Sequence, residues 1–164
     1  MKYEELSGKP ELALIQEVVL DFWKKEKIFE KSVEQRTGEE VVFYDGPPFP
    51  TGKPHHGTVL VSFIKDMIAR YWTMRGYRVP RVWGWDCHGL PIENQAETLL
   101  GITDKNEIEK SLGIDKFNEK CYEIVAGNNE AWKEYVEQMA RWVDYDGAFQ
   151  TMNMDFMESV MWAF

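Results

Sequence analysis

One proline-rich stretch most constrains how this chain folds. It follows a short apolar run, residues 41–44, and holds four prolines and two glycines between Asp45 and Pro54. Because proline fixes φ and lacks an N–H donor, such a stretch cannot continue a strand or a helix. Helical spacing of apolar residues resumes directly after it. The sequence therefore predicts a buried strand over 41–44, then a stiff loop, then a helix.

The pattern around that loop predicts a parallel pair of strands. The helix after the loop should run to about Arg75 and end at Gly76, since glycine is the usual residue just past a helix. Residues 77–83 follow as a second strand, with Pro80 near its beginning. Strand, helix and strand in this order form a βαβ unit, so the fold class predicted is α/β.

Other segments have the spacing of amphipathic helices. The spacing over residues 11–30 predicts an amphipathic helix before the loop, and a sheet or another helix should cover its apolar stripe. Later helices are predicted from Pro91, from 115 to 139 and from 156 to 164, whereas 141–154 has a mixed pattern. The charged face of the helix after the loop is expected to be solvated surface; it carries Lys65, Asp66, Arg70 and Arg75.

Composition limits the possible partners. A net charge of −9 over 164 residues disfavours direct nucleic-acid binding, which depends on Lys and Arg. Cys87 and Cys121 have no paired spacing, so we expect no disulfide and no metal site. The simplest interpretation is that both thiols are packed in the interior. An acidic, polar start and the lack of a long apolar run predict a cytoplasmic protein without a membrane partner.

Chemistry is expected at the carboxyl ends of the two predicted strands, where open parallel sheets bind ligands. The loop after Tyr44 leads into a helix N-terminus that suits an anion, and Gly57 would allow a phosphate to approach the backbone. His55 and His56 at that position should be neutral imidazoles that donate N–H groups to phosphate, with His56 the weaker candidate. Asp86, after the second strand, is a candidate anchor for a substrate ammonium group.

Several motifs resemble a known family. The segment Pro54-His55-His56-Gly57-Thr58 is similar to the His-Ile-Gly-His signature of class I aminoacyl-tRNA synthetases. Further blocks resemble the isoleucyl branch of that family, at 45–52, 70–77, 84–93, 141–144 and 151–162. In the block at 84–93, a leucyl enzyme would resemble Gly-Trp-Asp-Ala-Phe-Gly-Leu-Pro instead, and a valyl enzyme would differ there again.

This resemblance implies a fold and an activity. The fold is the N-terminal half of a Rossmann-like parallel-sheet nucleotide-binding domain, preceded by an amphipathic helix. The activity is ATP-dependent formation of isoleucyl-adenylate, with Mg²⁺ accompanying ATP, and transfer to tRNA(Ile) through regions outside these residues. As a single domain fragment, 1–37 would be an N-terminal helical segment and 38–164 the first half of the catalytic domain, ending before an editing insertion.

The resemblance also implies roles for particular residues. His55 and Thr58 would be catalytic, and the nucleotide would be bound by Pro54, His55, Gly57 and Thr58. The amino acid would be bound by Gly46, Pro47 and Asp86. The motif around them comprises Pro48, Phe49, Pro50, Thr51, Gly52, Lys53, Pro54, His55, His56, Gly57 and Thr58.

Two departures from the family pattern bear on function. Thr58 stands where the signature has its second histidine, and a hydroxyl can donate a hydrogen bond but cannot carry positive charge. The family's Lys-Met-Ser-Lys-Ser signature does not occur in these 164 residues, so the chain is expected to be inactive alone. Alternatives are a valyl- or leucyl-type synthetase, a small nucleotidyltransferase and a noncatalytic nucleotide-binding module.

Overall fold

The architecture is α/β, with helices around a small parallel sheet, as predicted. The computed structural model describes residues 11–164, apart from the side chain of Glu130. Residues 1–10, which begin the predicted segment 1–37, lie outside the described residues. The elements are α1 Leu12–Glu26, α2 Ile28–Glu34, α3 His56–Met74, β1 Val82–Trp85, α4 Leu90–Leu100, a π-helical turn Ile108–Leu112, α5 Ile114–Gly127, α6 Asn129–Gln138, β2 Asp144–Gln150 and α7 Met154–Ala163.

The sheet pairs β1 with β2 in parallel. Gly84 lies opposite Phe149, and an irregularity in register separates this pair from Val82. Helices α4, α5 and α6 form the crossover that parallel strands require. A Cβ on residue 84 would overlap the ring of Phe149, so only glycine fits there. The segment 141–154, whose pattern was mixed, contains the strand β2. The strand predicted over 77–83 is shifted along the chain, since β1 begins at Val82, after Pro80, and runs to Trp85.

The prediction of a buried strand over 41–44 is wrong. Only Glu40 forms a β-bridge there, in parallel with Arg78, and the Val41 N–H donates to the Arg78 carbonyl at 2.9 Å. Tyr44 is 93% exposed. Pairing stops after Arg78 because Pro80 has no N–H to continue the ladder. The predicted parallel contact is therefore present as a single bridge.

The core is built on tryptophans of β1 and α6. Trp83 and Trp85 contact each other edge to face, with ring centroids 5.4 Å apart, and Trp85 contacts Trp132 in the same way at 5.5 Å. Such aromatic pairs add about 0.5–1.5 kcal/mol each beyond burial. Cys87, Ile92, Val125 and Val136 complete this buried cluster.

Helix α3 has its faces reversed relative to the prediction. Among the residues that the structure describes, the seven on the predicted apolar face of α3 are exposed. They are Val59, Leu60, Phe63, Ile64, Met67, Ile68 and Tyr71. The expectation that its charged face is solvated is wrong for Lys65, Asp66 and Arg70. Arg70 pairs with Asp66, and its guanidinium lies 3.9 Å from the ring centroid of Trp142. Charge pairing and ring contacts half-bury these three side chains, while Arg75 is exposed, as predicted.

Two predicted helices are each divided in two. The helix predicted over 11–30 breaks at Lys27, which has a φ of 49°, and most of the apolar stripe of α1 is exposed. The helix predicted over 115–139 breaks at Asn128, whose side-chain amide donates to the carbonyls of Ile124 and Pro50. The predicted end of α3 is confirmed, since Gly76 has a φ of 97°.

Candidate functional site

The proline-rich loop is held by groups from other elements. The Asn128 amide donates to the Pro50 carbonyl at 2.7 Å, and the Trp132 indole N–H donates to the Gly52 carbonyl at 3.1 Å. Pro50 is fully buried. Because its prolines lack N–H groups, the loop cannot form a hydrogen-bond ladder of its own. Residues from α6 and its N-cap therefore fix the shape of a segment that has no regular structure.

His55 caps the start of α3. It is the N-cap residue, and its Nδ1 accepts the Gly57 backbone N–H at 3.1 Å. An Nδ1 that accepts this bond carries no proton, so in the neutral imidazole Nε2 is the donor. Thr58 completes a capping box, because its Oγ1 accepts the His55 N–H at 3.4 Å. The hydroxyl that replaces the signature histidine thus has a structural partner.

Gly57 leaves room for the His55 ring. A Cβ on residue 57 would lie 3.0 Å from His55 Cε1 and 3.1 Å from Nδ1, tighter than ordinary contacts. The glycine thus allows the histidine to cap the helix. Close approach of a phosphate to this backbone stays a prediction.

The second predicted loop joins the first through its backbone. The Asp86 N–H donates to the Pro48 carbonyl at 3.0 Å. Asp86 directly follows β1 and is half-buried. The structure therefore brings Asp86 beside the predicted amino-acid loop, although only Asp86 follows a strand, since residues 41–44 form none.

An open crevice of about 260 Å³ lies between the loop and α3. Its lining includes Gly46, His55, Gly57 and Thr58, four of the predicted site residues. Pro47, Pro54 and Asp86, three further predicted site residues, are not among its lining residues, and Lys53 and His56 are exposed. Two larger crevices, about 420 and 430 Å³, have no lining residue from 46–58. Of these three crevices, the smallest is therefore the one that residues of the motif line.

Sequence reasoning missed two cations in the same crevice, Lys65 and Arg141. Lys65 Nζ forms an ion pair with Asp45 Oδ1, and Arg141 Nη2 pairs with Asp45 Oδ2. The signal was available for Lys65, because Thr58, Ser62 and Lys65 have the i, i+4, i+7 spacing of one helix face. For Arg141, far along the chain from Asp45, no local pattern pointed to this crevice.

Cys87 lies beside the site as a buried thiol. Its backbone N–H donates to Thr151 Oγ1 at 2.8 Å. Burial raises the pKa of this thiol, and hydrogen bonds from Met152 and Thr151 oppose that shift without cancelling it. A raised pKa disfavours the nucleophilic thiolate. Packing is therefore the role that the structure supports for Cys87, while Cys121 is half-buried.

The sequence profile of the family described as tRNA synthetases class I (I, L, M and V) matches residues 18–164. The chain belongs to this family. The class I synthetase motifs at 54–58 and 84–93 lie inside the matched range. The α/β architecture and the parallel strands agree with it.

Relatives of this class I synthetase chain are strongly similar over nearly all of it. The isoleucine–tRNA ligase of Anaplasma marginale is 53% identical over 99% of the chain, and that of Corynebacterium efficiens is 52% identical over 96%. The isoleucine–tRNA ligase 2 of Pseudomonas fluorescens is 50% identical over 98%. The chain spans about 15% of the length of the first two relatives and 16% of the third.

A solved structure shares the fold of the class I synthetase chain. It is the ternary complex of LeuRS from Agrobacterium radiobacter with tRNA and LeuAMS, with a TM-score of 0.66 and 19% identity. The match covers 90% of this chain and 17% of that one. At this identity the likeness supports the fold alone.

Two further observations concern metals and membranes. Among residues 11–164, no three His, Cys, Asp or Glu side chains are gathered so that they could hold a metal ion. In the same residues, no helix is both long and apolar enough to cross a membrane.

Proposed function

We propose that this chain supplies part of the site in which a longer class I synthetase activates isoleucine with ATP. One observation carries the proposal: the hydrogen bond from Asp86 to Pro48 joins an acidic strand end to the loop that leads into the His55 cap. The relatives that are 50–53% identical are all called isoleucine–tRNA ligases. A single small ligand can then meet both loops.

The amino-acid half of the site consists of Gly46, Pro47 and Asp86. The Asp86 carboxylate accepts hydrogen bonds from the ammonium group of isoleucine, a charge-assisted interaction of about 1.5–3 kcal/mol. Gly46 and Pro47 border the amino acid from the loop. With its ammonium group held, isoleucine directs its carboxylate toward the α-phosphate of ATP.

The phosphate half lies at the start of α3. A carboxylate oxygen of isoleucine forms a bond to the α-phosphorus, the bond to the bridging oxygen breaks, and pyrophosphate leaves with that electron pair. Because the attacking carboxylate is already ionised, no general base is needed, and the protein positions the reactants and stabilises charge. His55 Nε2–H is the donor aimed at a phosphate oxygen, and the Thr58 hydroxyl, Gly57 and Pro54 border the nucleotide.

Mg²⁺ that accompanies ATP neutralises phosphate charge during this step. No protein cage for it is gathered within residues 11–164, and Mg²⁺ in such sites usually keeps several waters and substrate phosphates as ligands. The ion is therefore proposed to arrive with ATP as part of the substrate.

The rest of the synthetase supplies what these residues lack. Residues 1–37 are proposed as an N-terminal helical segment and 38–164 as the first half of the catalytic domain, before an editing insertion. The exposed apolar face of α3 supports contact with further protein of the longer synthetase, since large exposed apolar patches mark surfaces that bind other protein. Transfer to tRNA(Ile) is assigned to the missing parts, and a cytoplasmic location stays a prediction.

The test is isoleucine-dependent exchange between ATP and pyrophosphate by the full-length synthetase that carries this chain. His55→Ala is expected to lower the exchange rate roughly 100-fold, as for the loss of one charge-stabilising donor. His56→Ala is the comparison on the same turn: His56, the weaker candidate donor, does not line the crevice, so its loss should lower exchange much less. Unchanged exchange in His55→Ala would remove His55 from the mechanism.

Substrate specificity is tested in the same assay. Exchange should depend on isoleucine, with valine much poorer and leucine poorer still. Exchange that prefers valine or leucine would favour a valyl- or leucyl-type synthetase, and no exchange with any of the three would favour a noncatalytic binding module. The 164-residue chain alone is expected to show little exchange.

A further inference from the structure

A three-residue ionic cluster lies directly beside the candidate amino-acid loop. It consists of Asp45, Lys65 and Arg141, and we call it the Asp45 cluster. Each oxygen of the Asp45 carboxylate has its own cation, Lys65 on Oδ1 and Arg141 on Oδ2. Lys65 Nζ also donates to the Gly46 carbonyl at 3.2 Å. The cluster thus binds both the side chain of residue 45 and the backbone of residue 46.

The cluster is mostly removed from water. The side chain of Arg141 is 7% exposed, that of Asp45 14% and that of Lys65 24%. The Arg141 guanidinium lies 4.9 Å from the ring centroid of Trp83, and its Nη1 donates to Ser62 Oγ at 3.3 Å. Ion pairs in this setting are screened less than surface pairs. The geometry of Asp45 is therefore strongly constrained.

The cluster also links the two halves of the candidate site. Lys65 belongs to α3, the helix that His55 caps, and lies about two turns beyond Thr58 on the same face. Asp45 immediately precedes Gly46 and Pro47. A shift of Lys65 relative to Asp45 would therefore move the amino-acid loop relative to the phosphate end of the site.

We propose that Lys65 is a positioning residue. It holds Asp45 and the Gly46 carbonyl, so that the loop keeps bound isoleucine aligned with His55. This inference rests on the proposed function. Lys65 lines the same crevice as His55 and Thr58, but its bonds go to Asp45 and the Gly46 carbonyl, so it acts through the loop. A small misplacement of one reactant can reduce rate about 100-fold. The effect should fall on isoleucine and spare the binding of ATP.

The test compares two variants of the full-length synthetase that carries this chain, Lys65→Met and Lys65→Arg. Lys65→Met keeps an apolar stem and leaves Asp45 paired with Arg141. We expect kcat/KM for isoleucine to fall about 10- to 100-fold while the KM for ATP changes less than about twofold. Lys65→Arg, which keeps the charge and its donors, should recover most of the loss.

Lys120→Met is the matched control. Lys120 is also an ion-paired lysine on a helix, bound to Glu123 on α5, and its loss should change neither KM. If Lys65→Met fails to fold, as judged by circular dichroism, Asp45→Asn replaces it. That variant weakens both bonds of the cluster with little change in shape, and the same selective loss for isoleucine is expected.

The outcomes separate this proposal from the proposed function. A wild-type enzyme without isoleucine-dependent exchange would overturn both. An active wild-type enzyme in which Lys65→Met leaves kcat/KM for isoleucine intact would overturn the positioning role alone. So would an equal rise in the KM for ATP, or a Lys65→Arg variant as poor as Lys65→Met, because either result indicates a general structural loss.

Discussion

The backbone N–H of Asp86 donates to the carbonyl of Pro48 at 3.0 Å. This bond joins residues from two different loops, one after β1 and one before α3. It does not involve the Asp86 side chain. Substitution of that side chain can therefore test ligand binding without removing the contact between the loops.

Asp86→Asn is expected to weaken isoleucine binding selectively. Loss of one charge-assisted partner of about 2 kcal/mol corresponds to a rise of about 30-fold in the KM for isoleucine. Steady-state exchange kinetics on the full-length synthetase measure this, with Asp21→Asn, exposed on α1, as the control. A rise confined to the KM for ATP would reverse the assignment of the two halves of the site.

Thr58→Val should lower the free energy of unfolding of the chain by about 0.5–1 kcal/mol. The substitution keeps the shape of the side chain and removes the oxygen that accepts the His55 N–H, so the capping box is lost. Urea unfolding followed by circular dichroism measures the change. Thr58→Ser keeps the oxygen and should behave like the wild type; equal losses in the two variants would mean that the hydroxyl does not cap α3.

Gly57→Ala and Gly127→Ala should change the free energy of unfolding differently, although both introduce alanine into a helix. Alanine in place of glycine stabilises a helix by about 0.5–1 kcal/mol. Gly127 has open space around its Cβ position, so nothing opposes this gain there. At residue 57 the new methyl group would lie 3.0–3.1 Å from the His55 ring, so the ring must shift by a few tenths of an ångström, which weakens its hydrogen bond and offsets the gain. Gly127→Ala should therefore stabilise the chain and Gly57→Ala should not. Equal stabilisation by urea unfolding would contradict the cap geometry.

Cys87 is expected to react slowly with iodoacetamide at pH 8. Its pKa is raised by burial, so at this pH it forms less thiolate than an ordinary cysteine with a pKa of about 8.5. Because the folded-state pKa lies above the unfolded one, the stability that the neutral thiol contributes is present below the unfolded pKa and is lost as pH rises toward the folded pKa. The reaction rate of Cys87 is measured in a Cys121→Ser background, in the folded chain and in the chain unfolded by urea. A rate equal to that of free cysteine in the folded chain would contradict the raised pKa.

Four predicted residues that line the crevice, Gly46, His55, Gly57 and Thr58, lie close together in sequence, so local patterns could gather them; their roles toward a ligand stay predictions. The proline-rich loop, the helix start beside His55 and the end of α3 at Gly76 follow from local rules for proline, glycine and helix ends, whereas the capping role of the His55 side chain was not predicted. The pairing of Asp45 with Arg141 did not follow, since it joins residues 96 positions apart. The strand over 41–44 was predicted from local apolarity, yet a strand also needs a partner along its length, and Pro80 prevents that.

The sequence by itself determined the family, the order of loop and helix, and the chemistry of the residues gathered there. Only the tertiary structure decided that β2 lies beside β1, that the charged face of α3 is packed while its apolar face is exposed, and that Lys65 and Arg141 share Asp45. The physical reason is that backbone propensities act over a few residues. Burial and charge pairing depend on which distant segments meet, and a local pattern does not contain that information.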